Sequence, residues 1–214
     1  MSVSDALVAR SAARSTATLH EAGGRIGALP PAIKPHAANV TLAGRAYPVM
    51  SPGGDNLWLH HAIYHAAPGD ILVVATGDHG FGYWGEVMAV AAQARGIAGL
   101  VIDGGVRDSQ PMLALGFPVF STAACIQGTG KDLAGAGTLG APVTIGDVCI
   151  HPGDLIVADA DGVVVLPADR AEAIVALGEE RDAAEQEIFA RLRAGGSTIE
   201  VYGLGTPHRL ESET

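Results

Sequence analysis

Apolar positions in this chain fall mainly in short runs. Ile71-Leu72-Val73-Val74-Ala75, Leu100-Val101-Ile102, Leu155-Ile156-Val157-Ala158 and Val163-Val164-Val165-Leu166 have strand length, well short of a helix. Turn residues bound them: Pro68-Gly69-Asp70 before the first, Asp103-Gly104-Gly105 after the second, Pro152-Gly153-Asp154 before the third. Asp161-Gly162 joins the last two runs as a hairpin. A second hairpin is expected about Gly146-Asp147, where Val143, Ile145, Val148 and Ile150 are apolar. Phe117 to Ser121 reads as a further strand. Val40 to Val49 reads as a strand or hairpin, interrupted by Gly44 and ended by Pro48.

Helical spacing appears between these runs. Residues 4–22 fit one helix with Ala6, Leu7, Ala13 and Leu19 inward. Asp55 is placed to cap a helix reaching about Ala66. From Glu86 to Arg95, the residues Val87, Val90, Ala91 and Ala94 recur at helical intervals, and Gly96 stops the run. A helical turn follows Asp108. Ala168 to Ala194 is a long charged helix closed by Gly195-Gly196. The segments Pro68–Val74 and Pro152–Ala158 echo each other, each a turn feeding a buried strand, but two copies do not make a repeat protein. Strands alternating with helices, together with hairpins, predict an α/β fold with mixed sheets.

Length and composition narrow the class. A chain of 214 residues without a Ser/Pro-rich or charge-rich linker suits one domain, residues 1–214. With 48% hydrophobic and 17% charged residues it is no disordered chain. A formal net charge of -10 and no basic stripe argue against nucleic-acid binding. Cys125 and Cys149 are isolated and read as reduced thiols. Residues 1–17 lack the apolar core of a signal peptide, and no run approaches the roughly 18 apolar residues of a membrane span. The expectation is a soluble, cytoplasmic protein.

Candidate chemistry lies between Gly85 and Asp108. A Gly-rich loop, Thr76 to Gly85, delivers the chain to a helix start, where free amides and the helix dipole favour an anion. A substrate carboxylate would suit the N–H groups of Gly85, Glu86, Val87 and Met88. Glu86 also simply favours a helix N-terminus. Arg107 and Asp108 follow a buried strand and two glycines. Adjacent strand residues point to opposite faces, so both reach one site only where the strand has ended. Arg107 offers a planar donor fork, and Asp108 a hard oxygen ligand for Mg2+ or Mn2+, although Asp108 could equally cap the turn after it.

Other motifs carry less. His61 and His65 are spaced as zinc ligands, but the glutamate of an HExxH motif and a third ligand are missing, so they read as surface histidines. Gly128-Thr129-Gly130-Lys131 hints at a phosphate loop, yet Cys125 stands at its first glycine position and Asp132 at its Ser/Thr position. Asp78 and His79 lie in the Gly-rich loop and could line a pocket, without an assigned role.

An acid, twenty residues, then Arg-Asp (Glu86 to Arg107-Asp108) resembles the signature of the RraA-like family. Surrounding text agrees, from Pro68–Val74 through Ala94–Gly104 and Gly116–Phe120 to Pro152–Asp159 and Asp161–Pro167, and the resemblance covers about residues 25–196. It differs at Ile33-Lys34-Pro35, where the family often has arginine for Lys34, and in the loop Asp78–Trp84. The family includes 4-hydroxy-4-methyl-2-oxoglutarate aldolases that also decarboxylate oxaloacetate, regulators of ribonuclease E activity, and members carrying a menaquinone-methyltransferase name. No Gly-rich nucleotide motif follows a first strand here to support a methyltransferase.

The resemblance implies a β/β/α sandwich of the swivelling-domain type, a homotrimer or hexamer, and sites between subunits. It implies a divalent-metal-dependent lyase acting on a small 2-oxo acid through a pyruvate enolate. Asp108 would hold Mg2+ or Mn2+, Arg107 would face the enolate, and Glu86 would work through water. Arg181-Asp182-Ala183-Ala184-Glu185 resembles the segment whose last glutamate reaches a neighbour's site, with Glu187 next in line. The rival expectation is a non-catalytic regulator that binds a ribonuclease, for which an acidic surface would suit a basic partner.

Overall fold

The computed structural model describes residues 3–77 and 80–207. Two short helices open the chain, α1 (Asp5–Ala12) and α2 (Thr16–Ala22). Strands β1 (Lys34–Pro35) and β2 (Leu42–Met50), helix α3 (Leu57–His65) and β3 (Asp70–Ala75) follow. Next come β4 (Gly82–Trp84), α4 (Glu86–Ala94), β5 (Gly99–Ile102), β6 (Gly105–Val106), α5 (Ser109–Leu115) and β7 (Val119–Ser121). Short strands β8 (Ala123–Ala124) and β9 (Thr138–Leu139) precede β10 (Val143–Ile145) and β11 (Val148–Ile150). Strands β12 (Leu155–Asp159) and β13 (Gly162–Leu166) lead to α6 (Ala171–Arg193) and α7 (Thr198–Tyr202). Among these, no helix is long and apolar enough to cross a membrane.

The main sheet runs β1-β7-β5-β3-β2-β12-β13, with β9 also on β2. Its centre, β2-β3-β5-β7, is parallel; the β12–β13 hairpin and β1 join antiparallel at the two sides. Period-2 alternation in each apolar run sorts side chains into layers. Leu72, Val74, Leu100 and Ile102 face α3, α4 and α5. Ile71, Val73, Val101, Ile156 and Val165 face the β10–β11 hairpin through Val143, Ile145 and Ile150. Leu155, Val157, Val164 and Leu166 face α1, α2 and α6. Hairpin, sheet and helices thus form the β/β/α sandwich. Each fully buried Val, Leu or Ile contributes about 1.5–3 kcal/mol, so the sheet faces anchor the layers.

The echoed segments prove to be one turn used twice. Gly69 and Gly153 have φ of 86° and 83°. In each turn the aspartate accepts an N–H three residues back, Ala67 to Asp70 at 2.9 Å and His151 to Asp154 at 2.8 Å. Both turns feed strands that flank β2.

Four local expectations change. Residues 4–22 form two helices, because Ser15 breaks the first and caps the second through the Thr18 N–H; Leu7 and Leu19 are buried, while Ala6 and Ala13 are exposed. Pro48 does not end its strand; it pairs with Val73 inside β2, and its carbonyl accepts the Gly140 N–H. The cap of α3 is shared: Asn56 occupies the cap position, and Asp55 accepts the Leu57 N–H at 2.7 Å. On α4 the buried residues are Met88, Ala89 and Ala92, one position away from the expected stripe; Val87 is 79% and Val90 48% exposed. Each residue turns a helix by 100°, and the small Ala89 and Ala92 let α4 approach the core closely while Met88 fills the gap.

Candidate functional site

The three-stranded sheet β4-β6-β8 builds the corner on which the site stands. Trp84 is fully buried and stacks on Phe117 with ring centroids 6.0 Å apart. The neighbouring Tyr83 is also fully buried, and its hydroxyl accepts the Gly54 N–H at 2.8 Å. These rings fix the chain on either side of β4. Arg107 then donates its N–H to the Trp84 carbonyl at 2.8 Å, which lays the end of β6 along the entry to α4.

Asp108 follows with φ of 56°, a left-handed conformation that is uncommon outside glycine and tolerated by aspartate. This turn answers the alternation problem: it swings Asp108 back to the same side as Arg107. Its Oδ2 accepts the Glu86 N–H at 3.1 Å, so the α4 N-terminus is capped from across the chain rather than by Gly85. Asp108 is also the cap residue of α5, but its side chain makes no capping bond there. Arg107 Nε stands 3.7 Å from the same Oδ2. Two glycines make room. A Cβ on Gly85 would lie 2.3 Å from Asp108 Oδ2, and one on Gly82 would lie 2.3 Å from the Cys125 carbonyl oxygen and 3.2 Å from Arg107 Cβ.

A cavity of about 240 Å3 opens at this corner. One wall comprises Gly82, Gly85, Val87, Met88, Arg107 and Asp108; the other includes Asn56, His60, Gly128, Thr129 and Lys131. Among the expected helix-end donors, the Glu86 N–H is taken by Asp108 and the Met88 N–H by the Gly85 carbonyl. That leaves the Gly85 and Val87 N–H groups of the expected carboxylate site, and Val87 lines the cavity. Burial, reinforced by Lys131 and His61, lowers the pKa of His60 below the ordinary histidine range.

Glu86 reaches the corner through its backbone; its carboxylate is exposed and does not line the cavity. Glu185 lies away from this cavity, paired with Arg181 at 3.2 Å beside Tyr202, and Glu187 is exposed. His61 and His65 are exposed on α3, and His65 Nδ1 stands 2.8 Å from the His61 carbonyl oxygen. Asp78 and His79 lie outside the described residues. Lys34 donates to the Asp161 carbonyl, away from the cavity.

Asn56, His60 and Lys131 escaped sequence reasoning. The histidine pair at helical spacing drew attention one residue past His60, and Lys131 sat in a rejected phosphate-loop pattern. The signal was Asp55. Buried at the head of α3, it accepts N–H groups from both Leu57 and Asp132 and so ties the two segments together.

A metal can be tested against the donor set. Among the described residues, no three His, Cys, Asp or Glu side chains gather to hold an ion. Asp108 presents one carboxylate to the cavity, with Oδ1 uncommitted within the described chain. One hard oxygen ligand suits Mg2+ or Mn2+, which keep most of their waters, and the residues fit such an ion.

These features define an α/β protein, a β/β/α sandwich whose glycine-lined cavity carries one arginine and one aspartate on the same wall. The chain belongs to the RraA-like family: the Aldolase/RraA family model matches residues 1–165. A Halalkalibacterium halodurans protein named "Putative 4-hydroxy-4-methyl-2-oxoglutarate aldolase" is 39% identical over 163 residues, covering 76% of this chain and 75% of that protein. Streptomyces coelicolor RraAS2, described as an unusual member of the RNase ES inhibitor RraA protein family, superposes with a TM-score of 0.73. It is 30% identical and covers 89% of this chain and 98% of its own. An uncharacterized Pseudomonas syringae protein superposes at 0.79 with 28% identity, over 94% of this chain and 98% of its own.

Proposed function

We propose that this chain is a divalent-metal-dependent pyruvate aldolase that cleaves 4-hydroxy-2-oxo acids, 4-hydroxy-4-methyl-2-oxoglutarate among them, and decarboxylates oxaloacetate. The observation that carries the reading is the Arg107–Asp108 pair at 3.7 Å on the cavity wall, which leaves both groups with unused capacity toward a ligand. The relative named as an aldolase supports it.

The 1-carboxylate of the substrate sits at the Val87 N–H and the α4 N-terminus. The 2-oxo oxygen lies toward Arg107. In aldol cleavage the 4-hydroxyl gives up its proton, the C3–C4 bond breaks, and its electron pair moves onto the 2-oxygen. Arg107 donates to that oxygen as negative charge grows there, which lowers the barrier more than it tightens ground-state binding. A proton then returns to C3 and releases pyruvate. Decarboxylation of oxaloacetate follows the same course, with CO2 leaving from C4. Asp108 would hold a divalent cation, which would supply further positive charge toward the 2-oxygen. Glu86 at the rim, and Glu185 of a neighbouring subunit in a homotrimer or hexamer, act in proton transfer through water.

Pyruvate release from oxaloacetate, above the rate of metal alone, tests the reading. Chelator should abolish it and Mg2+ or Mn2+ restore it; full activity in chelator would exclude the mechanism. Lys131 is the lysine to watch for Schiff-base chemistry, and borohydride with pyruvate should leave no adduct on it. Mixing inactive Asp108→Ala and Glu185→Ala subunits should recover part of the activity. No recovery, with subunit exchange demonstrated, would remove Glu185 from a shared site. Failure to release pyruvate, with capture of a ribonuclease, would favour the regulator that the RraAS2 likeness represents.

A further inference from the structure

The β10–β11 hairpin covers the main sheet with one face and turns the other outward. Along β11, Ile150 is buried in the core and Cys149 is exposed on the outside. Side chains two apart in a strand share a face, so His151, one residue past the strand's end, returns to the side of Cys149. The two meet there: Cys149 Sγ lies 4.0 Å from His151 Nε2, within hydrogen-bond reach for sulfur. The other ring nitrogen, Nδ1, stands 3.8 Å from Asp154 Oδ2. Asp154 is buried and fixed, with Oδ2 accepting the His151 N–H at 2.8 Å and Oδ1 the Ala168 N–H at 3.0 Å. None of the three lines the cavity at Arg107.

The repeated Pro-Gly-Asp turn shows that this cluster is not there to build the turn. In the first copy Ala67 stands where His151 stands in the second, and its N–H closes on the aspartate in the same way. The imidazole is surplus to the turn. The other cysteine supplies a second contrast. Cys125 points its thiol at the Gly80 carbonyl, 3.1 Å away, which can accept the hydrogen bond but cannot take the proton. Cys149 faces a base instead. A carboxylate beside Nδ1 favours the tautomer that carries its proton on that nitrogen, which leaves the Nε2 lone pair toward the thiol. Thiol, imidazole and carboxylate in that order make an activated nucleophile, here open to solvent.

We propose that Cys149 is a modification site that exchanges with small-molecule disulfides, with His151 as its base and Asp154 as the residue that positions the ring. Cys149 Sγ passes its proton to His151 Nε2 and attacks one sulfur of the disulfide. The disulfide S–S bond breaks, and the departing thiolate takes the proton back from Nε2. Cys149 is oxidised to a mixed disulfide, and the other half of the reagent is reduced to a free thiol. The cap is reversible, because an excess of thiol drives the same exchange backwards. The inference is independent of the reaction proposed at Arg107.

The experiment treats the reduced, full-length protein with oxidised glutathione and follows each cysteine by quenched peptide mass spectrometry. Cys149 should acquire glutathione at least about tenfold faster than Cys125, and excess dithiothreitol should remove it. His151→Gln should slow Cys149 by about tenfold or more, because the base is lost, and leave the rate at Cys125 alone. The His151 side chain is 61% exposed, so its replacement leaves folding intact, which a thermal melt checks. Asp154→Asn should slow Cys149 severalfold beside a native His151 and have no further effect in His151→Gln protein, whereas a merely structural aspartate would act in both. Cys149 reacting no faster than Cys125, or at a rate that His151→Gln does not move, overturns the site. Equal slowing by Asp154→Asn in both backgrounds overturns the positioning role of Asp154.

Discussion

Arginines face carboxylates in two regions of this molecule and are left in opposite states. Where α1 and α2 pack on α6, Arg10 grips Glu179 with two bonds, at 3.0 and 2.9 Å, and also meets Glu172. Arg14 meets Asp182 at 2.6 Å, and Thr18 adds its hydroxyl to the same carboxylate. At the cavity, Arg107 Nε stands 3.7 Å from Asp108 Oδ2, just beyond hydrogen-bond distance, and its side chain is 51% exposed. In the first arrangement all three nitrogens of Arg10 are committed to holding helices together, although Arg14 commits only Nη1 and its buried Nε has no acceptor among the described residues. The second leaves its donors free beside a cavity, which supports the proposed ligand site there.

The strongest way to break this contrast is to crowd the cavity corner. Gly85→Ala would put a methyl group 2.3 Å from Asp108 Oδ2 and drive the carboxylate from its place. Misplacement by about 1 Å costs on the order of 10^2-fold in rate. We expect at least that loss of oxaloacetate decarboxylation with the far-ultraviolet circular dichroism unchanged. Near-wild-type turnover would detach Asp108's position from function.

Next in size is the fork itself. Arg107→Ala should lower kcat by about 10^2- to 10^3-fold, the range found when one donor to a developing oxyanion is removed. Arg107→Lys should recover little, because a point charge cannot replace the planar fork. The mutant should still bind Mn2+ through Asp108, observable by paramagnetic relaxation of water. A fully active lysine variant would show that charge alone suffices.

The contrast also explains what could be read before the structure was known. Strand runs, hairpins and the Pro-Gly-Asp turns were legible because period and turn chemistry are local. The Glu86 to Arg107-Asp108 spacing located the corner. Hidden in the sequence were the features set by packing: the phase of α4, the left-handed turn that aims Asp108, and the union of His60 with Lys131 through Asp55. The charged face of α6 reads as solvated, yet Glu179 and Asp182 are engaged by residues some 165 positions away.

A smaller effect concerns pH. His36 stands against Ser121 beneath a small apolar hollow, and burial lowers its pKa. His60 is lowered as well, burial again leading. The unfolded chain takes up these protons near the usual pKa of about 6.5, before the folded chain does. Stability should therefore decline as pH falls below about 6.5, and level off beneath the lowered folded values. The slope cannot exceed about 1.4 kcal/mol per pH unit for each histidine. Urea melts across that window should show a shallower decline for His36→Gln. An unchanged slope in both His36→Gln and His60→Gln would contradict the assignment.

The smallest effect should come from the saturated region. Arg10 is 39% exposed, and its partners Glu172 and Glu179 are 67% and 38% exposed, so water and salt screen much of the attraction. Helix α6 is held chiefly by Ile174 and Val175 in the core, with Arg14 and Asp182 as a second clamp one turn nearer to Glu185. Arg10→Gln should lower Tm slightly, and the difference from wild type should shrink in high salt. Turnover should stay the same, because the clamp nearest Glu185 survives. A loss of activity with little loss of Tm would show that the angle of α6 is transmitted to the site, and the two regions would then form one device rather than two.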